Sequence, residues 1–304
     1  MAKAWKKFSA VAFAAALAAC IALVGCSGNE EKAAEPSQDA TEAAAGPVEL
    51  QIFAANSLEK ALNEVQALYT EQTGVTFADT QYKGSGDLVK DMEGGAPSDI
   101  LITASKSTMD SAVEGSLVNE DTRFDMFRND LVIVTGADNA DVPADLTFEQ
   151  ALSGDYTIAL GNDNVPAGNY ARQSISTVVP VATVDGKSGK DTDGKVGSVE
   201  GEGFAGTVLD GKIVPANSVG DACNYAATGD ADLAFVYTSD VARYQDKVKQ
   251  LAVVPADTHK NIVYPAALSA GSEKAEAAQA FLDWATSDAE ALKIWQKWGF
   301  ELAA

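Results

Sequence analysis

The sequence predicts a mixed α/β protein folded as two lobes with a cleft between them. Apolar strands alternate with segments of helical spacing in the first third of the chain, and a second series of the same kind begins after residue 135. Strands and helices that alternate in this way form parallel sheets with helices on their faces. A last strand and two helical segments end the chain, where they can return to the first unit and close a bilobed arrangement.

The first α/β unit is predicted from the spacing of its apolar residues. Residues 48–54 alternate and then run apolar, as a strand entering a core does, and residues 58–69 repeat apolar side chains at helical spacing. The elements that follow are strands at 75–78, 99–103 and 130–135 and helices at 87–93 and 105–114. We expect the strands at 48–54, 75–78 and 99–103 to form a parallel sheet with helices on its faces.

The same alternation returns in the second half of the chain. Its elements are helices at 148–152 and 167–175 and strands at 156–160, 233–237 and 248–254. The last strand, at 262–268, contains Pro265, which lacks the N–H that a strand ladder needs, so we expect an edge or bridging strand there. Helices at 272–285 and 287–298 follow it.

These patterns predict where the lobes begin and end. Lobe 1 is expected to comprise residues 48–133 together with 263–304, and lobe 2 residues 134–262, so that the chain crosses near Val134 and again near Pro265. A polar, glycine-rich insertion at about 185–206 belongs to lobe 2 and is expected at the surface.

The N-terminal residues read as a targeting segment. Three lysines precede an apolar run, and residues 1–25 are therefore predicted to be a secretory signal. Leu23-Val24-Gly25-Cys26 resembles the lipobox of bacterial lipoproteins, which implies that Cys26 is acylated; a transmembrane anchor is the alternative. Residues 26–47 are too poor in core-forming side chains to fold, so we expect a disordered tether. Either anchor leaves the globular part extracytoplasmic.

The charge balance restricts the partners of the chain. The formal net charge is −22 over 304 residues, which excludes nucleic acid as a partner. Anions can be bound only at a shielded site that uses local dipoles. Ser57 and Ser85 each stand where a strand ends and a helix begins, a place that offers both N–H and hydroxyl donors. Ordinary helix capping is the alternative interpretation.

Several segments, read together and in order, resemble the extracytoplasmic molybdate-binding proteins of ABC transporters, the ModA type. The segments are Phe53-Ala-Ala-Asn-Ser57-Leu, Gly84-Ser85-Gly86, Gly95-Ala-Pro-Ser-Asp99, Val165-Pro-Ala167-Gly-Asn-Tyr170-Ala, Val236-Tyr237-Thr-Ser-Asp240 and Ile262-Val-Tyr-Pro265. The resemblance covers nearly all of residues 48–300. It implies a type II periplasmic-binding-protein-like fold, in which two α/β lobes are joined by a two-strand hinge.

The resemblance also implies a site of neutral donors for molybdate or tungstate. Ser57 and Ser85 would each give a hydroxyl and an N–H, Ala167 and Val219 a backbone N–H, and Tyr237 its phenol. No cofactor is implied, and the only metal is that of the oxyanion itself. Asn56 departs from the family pattern, which usually has a small residue there, so it either narrows the site or adds a donor.

The chemistry of such a site follows from its donors alone. A tetrahedral dianion only accepts hydrogen bonds, so donors without a carboxylate satisfy it. A protonated oxyanion would bring an O–H with no acceptor, which costs free energy. We therefore expect hydrogen phosphate to be rejected, and molybdate, tungstate or sulfate to be admitted.

The residues expected for catalysis are scarce in this chain. Its one histidine, His259, lies in a predicted loop and is expected at the surface, and Cys223 is expected to be a buried structural thiol. The chain is therefore predicted not to be an enzyme, although an enzyme on the same scaffold remains an alternative. A ferric-ion binder that uses Tyr225, Tyr237 and Tyr264 is another.

The resemblance implies partners that this chain does not encode. These are the membrane permease and the ATPase of an ABC importer, which a monomeric, lipid-anchored protein would supply with its ligand. Ser27 directly follows Cys26, a pattern that in two-membrane bacteria directs lipoproteins to the outer membrane, away from such a permease. A single-membrane bacterium is therefore the expected source.

Overall fold

The computed structural model describes residues 48–180, 188–192 and 204–303 of the protein. The predicted signal and tether lie outside the described residues, as does most of the predicted insertion at 185–206. The described chain folds around two large sheets, which lie in separate lobes. No described helix has both the length and the apolar character needed to span a bilayer.

The first lobe contains a mixed six-stranded sheet of the described chain, in the order β13-β6-β12-β5-β2-β4. Its strands are β2 (Ile52–Ala55), β4 (Gln81–Lys83), β5 (Ile100–Ile102), β6 (Phe124–Arg128), β12 (Val263–Leu268) and β13 (Glu301–Leu302). A short parallel pair, β1 (Glu49–Leu50) and β3 (Thr76–Phe77), accompanies it. The helices are α1 (Glu59–Thr73), α2 (Ser85–Glu93), α3 (Lys106–Glu114), α8 (Ala275–Ala285) and α9 (Ala289–Lys297), and 3₁₀ turns occupy Asn56–Leu58 and Glu120–Thr122.

The second lobe contains a five-stranded sheet of described residues, in the order β11-β7-β10-β8-β9. Its strands are β7 (Leu131–Gly136), β8 (Ile158–Gly161), β9 (Ile213–Ala216), β10 (Leu233–Tyr237) and β11 (Val248–Val253). Its helices are α4 (Phe148–Ala151), α5 (Pro166–Val178), α6 (Val219–Thr228) and α7 (Thr238–Arg243), with a 3₁₀ turn at Gly189–Asp191. The sequence analysis did not find β4, β6, β9 or β13.

In both lobes, helices begin near the cleft because they follow parallel strands whose carboxyl ends lie there. In the first sheet, β2 runs parallel to β4 and β5, and in the second, β8 runs parallel to β9 and β10. The carboxyl ends of parallel strands lie at one edge of a sheet, and ligands of open α/β sheets bind outside that edge. The helical segments that begin after β2, β4, β8 and β9 therefore start near the cleft.

The described chain crosses between the two sheets twice; the second crossing ends at the predicted boundary of 262/263, but the first lies before the predicted one. The first crossing lies between β6 and β7, at residues 129 and 130, and the second occupies residues 254–262. The predicted boundary at 133/134 falls inside β7, all of which belongs to the second sheet because it pairs with β10 on one side and β11 on the other. An apolar run of residues predicts that a strand forms, but it does not predict which strands it pairs with.

The prediction of an edge or bridging strand around Pro265 is wrong. The strand β12 lies inside the first sheet, between β5 and β6. Pairing between β12 and β6 is irregular between Tyr264 and Pro265, so the missing proline N–H falls where the ladder is already interrupted. Its carbonyl still accepts a hydrogen bond from the Thr103 N–H at 3.0 Å. The predicted bilobed α/β fold class itself is confirmed.

Candidate anion-binding site

The five residues predicted for the site line one small cavity between the lobes. Its volume is about 10 Å³, close to the space of one water-sized sphere. The described residues that line it include no Asp or Glu; they are Ala55, Asn56, Ser57, Lys83, Gly84, Ser85 and Ala104 from the first lobe and Val165, Pro166, Ala167, Val219 and Tyr237 from the second. The Lys83 ammonium is paired with Asp91 at 2.6 Å.

Ser57 lies in the 3₁₀ turn that follows β2 and is only 3 % exposed. Its hydroxyl is 2.8 Å from that of Tyr264, which also accepts a hydrogen bond from the Asn129 side chain at 3.4 Å. When Tyr264 donates its hydrogen to Ser57, the serine hydrogen is left to point into the cavity. The Tyr264 phenol can donate at any ordinary pH, because burial raises its pKa well above the usual value.

Ser85 is the first residue of α2 and is 1 % exposed. Its hydroxyl oxygen accepts a hydrogen bond from the Ala104 backbone N–H at 3.0 Å. A backbone N–H can only donate, so this contact uses a lone pair of the serine and leaves its hydrogen free. The local geometry therefore sets Ser85 as a donor toward the cavity.

Two helix starts supply donors from the second lobe. Ala167 is the second residue of α5, behind Pro166, and Val219 is the first residue of α6. The cap of α6 is Ser218, whose hydroxyl accepts from the Asp221 N–H at 3.0 Å. N–H groups in the first turn of a helix have no intrahelical acceptor, so those of Ala167 and Val219 remain available.

Tyr237 is the last residue of β10 and is 1 % exposed. Its hydroxyl is buried and has no hydrogen-bond partner within the described chain. Burial raises the pKa of this phenol well above the usual value, so the group keeps its proton. Buried polar groups normally have a hydrogen-bond partner, so this unpaired hydroxyl at the cavity is a candidate donor to a bound ligand.

Arg172, which sequence reasoning missed, holds the loop before α5. Its buried guanidinium donates to the carbonyl oxygens of Gly161 at 2.7 Å and Asn162 at 3.1 Å, and it pairs with Asp163 at 3.3 Å. Burial lowers its pKa to about 10, although Asp163 opposes this. The signal in the sequence was a single charged residue in a helix whose other side chains are neutral. Ala167 owes its position to this anchored loop.

Gly168 explains how α5 can start so close to β8. A Cβ at this position would lie 1.9 Å from the carbonyl oxygen of Gly161. No side chain fits there without moving the backbone, so glycine is required for the approach. The pair of glycines brings the start of α5 against the end of the strand that precedes it.

Asn56 lines the cavity, and its side-chain oxygen is already used as an acceptor. That oxygen accepts hydrogen bonds from the Gly220 N–H at 3.1 Å and from Arg243 at 2.9 Å, both in the second lobe. Asn56, the residue that departs from the family pattern, thus makes a contact between the lobes.

His259 is not at the surface, contrary to the sequence prediction. It is 6 % exposed, hydrogen-bonds through Nδ1 to the Lys260 carbonyl at 2.8 Å and packs edge-on against Tyr170. The crossing segment that carries it is fastened to α5, because the Lys260 N–H donates to Gln173 at 2.8 Å. A loop tied to a helix in this way buries its side chains.

The prediction that Cys223 is a buried thiol is confirmed. It lies inside α6, is fully buried and is not in a disulfide. Burial raises its pKa, which disfavours a reactive thiolate. The described residues also contain no cluster of three or more His, Cys, Asp or Glu side chains that could hold a metal ion.

Comparison with known proteins places this geometry in a family. The family described as bacterial extracellular solute-binding protein matches residues 50–301. The chain is 30 % identical over 297 residues to the putative ABC transporter substrate-binding lipoprotein YvgL of Bacillus subtilis, covering 97 % of this chain and 98 % of that protein. It is 29 % identical over 257 residues to the molybdate-binding protein ModA of Escherichia coli, covering 83 % and 88 %.

A solved structure agrees with these relatives. The substrate-binding domain of a putative molybdenum ABC transporter from Clostridium difficile is 29 % identical, with a TM-score of 0.57 over 84 % of this chain and all of that one. The resemblance that the sequence motifs predicted, to ModA-type proteins, is confirmed. The match covers almost the whole described chain, both lobes included, and the chain therefore belongs to the bacterial extracellular solute-binding protein family.

Proposed function

We propose that this protein binds a tetrahedral oxyanion dianion, molybdate or tungstate, outside the cytoplasm and delivers it to an ABC importer. The observation that carries the proposal is the donor set of the cavity. Hydroxyls from Ser57, Ser85 and Tyr237 and helix-start N–H groups from Ala167 and Val219 converge there, with no carboxylate among the described lining residues. Relatives whose names state molybdate binding support the same ligand.

The donor set favours a fully deprotonated anion. Each donor gains a charge-assisted hydrogen bond from molybdate, whereas hydrogen phosphate would bury an O–H without an acceptor. Sulfate satisfies the same donors, so its exclusion depends on size. The ferric-ion alternative is disfavoured because burial raises the pKa of both Tyr237 and Tyr264, and phenolate ligands would be costly there.

Ligand entry requires the lobes to separate. A cavity of about 10 Å³ holds about one water-sized sphere and is too small for an oxyanion, so binding would involve opening and closing about the two crossings at 129–130 and 254–262. We infer that the protein binds its ligand without transforming it and hands it to a permease with its ATPase.

The anchor and the assembly state complete the proposal. Leu23-Val24-Gly25-Cys26 supports lipidation at Cys26 and attachment to the cell membrane, and one relative is named a lipoprotein. All five proposed donors belong to the same chain, so a monomer is the proposed working unit.

Isothermal titration of the purified protein tests the proposed ligand. Molybdate and tungstate should release heat with saturable one-to-one binding, whereas phosphate and ferric citrate should not. Titration with sulfate, which satisfies the same donors, shows how strongly the site selects its ligand by size. If neither molybdate nor tungstate bound, the proposal would be wrong.

A further inference from the structure

We infer that Asn56, Arg243 and Glu59 form a clasp across the cleft that sets how long the bound anion is retained. Asn56 and Glu59 belong to the first lobe, and Arg243 ends α7 in the second. The inference rests on the proposed function, because retention is defined for the oxyanion bound between the lobes. It concerns a different property, the rate of release, and neither Glu59 nor Arg243 lines the cavity.

Asn56 connects the clasp directly to the site. It precedes Ser57 in the chain, and its side-chain oxygen accepts from the N–H of Gly220, which follows Val219. The first two N–H groups of α6 are therefore divided between two acceptors. That of Gly220 binds Asn56, and that of Val219 is left for the anion.

Arg243 supplies the strongest contacts of the clasp. One guanidinium nitrogen donates to both the backbone oxygen of Asn56 at 3.0 Å and its side-chain oxygen at 2.9 Å. The other nitrogen is paired with the Glu59 carboxylate. The Arg243 side chain is only 8 % exposed, so solvent screens these bonds little.

Gly220 lets the two lobes come close enough for these bonds. A Cβ there would lie 2.5 Å from the Asn56 side-chain oxygen and 3.2 Å from Arg243. Any larger residue would displace the Asn56 and Arg243 side chains from these bonds. The clasp thus depends on a backbone that approaches without a side chain.

A second contact between the lobes lies at the rim and provides a comparison. The Lys90 ammonium donates to the Asn164 side chain at 2.9 Å, but the Lys90 side chain is 61 % exposed. Exposed charged contacts contribute little because water and salt screen them. The Lys90–Asn164 and Arg243–Asn56 contacts are thus both 2.9 Å long, but the first is exposed and the second is buried.

The consequence concerns release more than capture. The anion enters while the lobes are apart and the clasp is open, so the clasp has little effect on association. Release requires the buried bonds of Arg243 and Asn56 to break. Removing the clasp should accordingly raise the dissociation rate.

Retention of radiolabelled molybdate during a chase with unlabelled molybdate measures that rate, and titration gives the equilibrium constant. We expect Asn56→Ala to speed dissociation about tenfold and to change the association rate less than about threefold, as for loss of hydrogen bonds to a buried charge. Glu59→Gln, which does not line the cavity, should speed dissociation about threefold. Lys90→Ala is the matched control and should stay within about twofold.

The outcomes separate the two proposals. If the unmodified protein retained no molybdate, the proposed function would fail, and the clasp with it. If it retained molybdate and Asn56→Ala and Glu59→Gln both dissociated no faster than Lys90→Ala, the clasp alone would be overturned. Thermal unfolding of each variant without ligand checks that the lobes themselves are intact.

Discussion

The two lobes contribute to the cavity in different ways. The first lobe offers side-chain hydroxyls, and each already has a partner within its own lobe: Tyr264 for Ser57 and the Ala104 N–H for Ser85. The second offers backbone N–H groups at two helix starts and the Tyr237 hydroxyl, which has no partner in the described chain. The serine hydroxyls of the first lobe are thus oriented by a partner before the ligand arrives, whereas the Tyr237 hydroxyl has no such partner in the described chain.

This difference decides what substitutions can reveal. A hydroxyl can be deleted directly, whereas a backbone donor can be moved only through the residues that position its helix. Deleting a partnered hydroxyl should cost stability as well as affinity. Deleting the unpartnered one should cost affinity alone.

The largest effect on stability is expected from Arg172, which positions the second lobe's part of the site. Arg172→Met removes the donor to the Gly161 and Asn162 carbonyls and leaves Asp163 without this partner. We expect the free energy of unfolding to fall by about 3–5 kcal/mol, the usual cost of breaking a buried pair from one side. Denaturant titration measures it.

The matched control for Arg172→Met is Arg123→Met in the first lobe. Arg123 pairs with Asp110 at 2.7 Å, but the Asp110 side chain is 54 % exposed. A loss below about 1 kcal/mol is expected there. Equal losses in the two variants would remove the special role assigned to Arg172.

In the first lobe, Ser85→Ala should weaken molybdate binding by about 1–3 kcal/mol, because a buried charged acceptor loses a donor. The Ala104 N–H also loses its acceptor, so stability without ligand should fall by about 1–3 kcal/mol. Ser98→Ala deletes a buried serine hydroxyl that donates to the Ile100 carbonyl, away from the cavity. It should lower stability and leave binding unchanged; the same loss of affinity in both variants would move the site elsewhere.

The second lobe also contains a buried carboxyl group, Asp240, which accepts from the Tyr237 N–H at 3.1 Å. Burial raises its pKa from 3.8 to about 6, against the opposing effect of Arg243. Between these values the folded state binds more protons than the unfolded state, so this group's contribution to stability falls as pH rises.

Asp240→Asn abolishes that titration. The stability of the original protein relative to Asp240→Asn should drop by on the order of 2 kcal/mol between pH 4 and pH 7. Urea denaturation at a series of pH values measures the difference. A difference that did not vary with pH would show that Asp240 has the same pKa in both states.

The smallest effect is expected from Tyr237→Phe, which should lower the affinity for molybdate but not the stability of the ligand-free protein. Tyr237→Phe removes one donor to the anion and should weaken molybdate binding by about 1 kcal/mol. It also removes a buried hydroxyl without a partner, so the ligand-free protein should be equally stable or more stable by about 1 kcal/mol. Titration and thermal unfolding of this variant test the contrast with Ser85→Ala; reduced stability would mean that the hydroxyl is already satisfied without ligand.

Much of the site could be read from local chemistry. Ser57 and Ser85 stand out because serine between a strand and a helix is a recognisable pattern, and Pro166 marks the start of α5 since proline suits the first turn of a helix. Ala167 and Val219 contribute through the backbone, so their identity carries no signal of its own. They were placed by resemblance, and the described structure brings them to the same cavity.

Other features required contacts between distant parts of the chain. The sequence could not show that Asn56 faces Gly220 and Arg243, 164 and 187 residues away, or that the segment carrying His259 is fastened to Gln173. It also misplaced the crossing at 133/134 and the position of Pro265, because periodicity identifies a strand without naming its neighbours.

The sequence by itself determined the order of most strands and helices, the donors that follow from turn and helix-start chemistry, and the exclusion of nucleic acid by charge. These properties depend on residues close together in the chain or on composition alone. The tertiary structure decided which strands pair, which hydroxyls already have a partner and which groups bridge the lobes. Those depend on burial and on contacts across long separations, where a hydrogen bond gains its strength from the surroundings that exclude water.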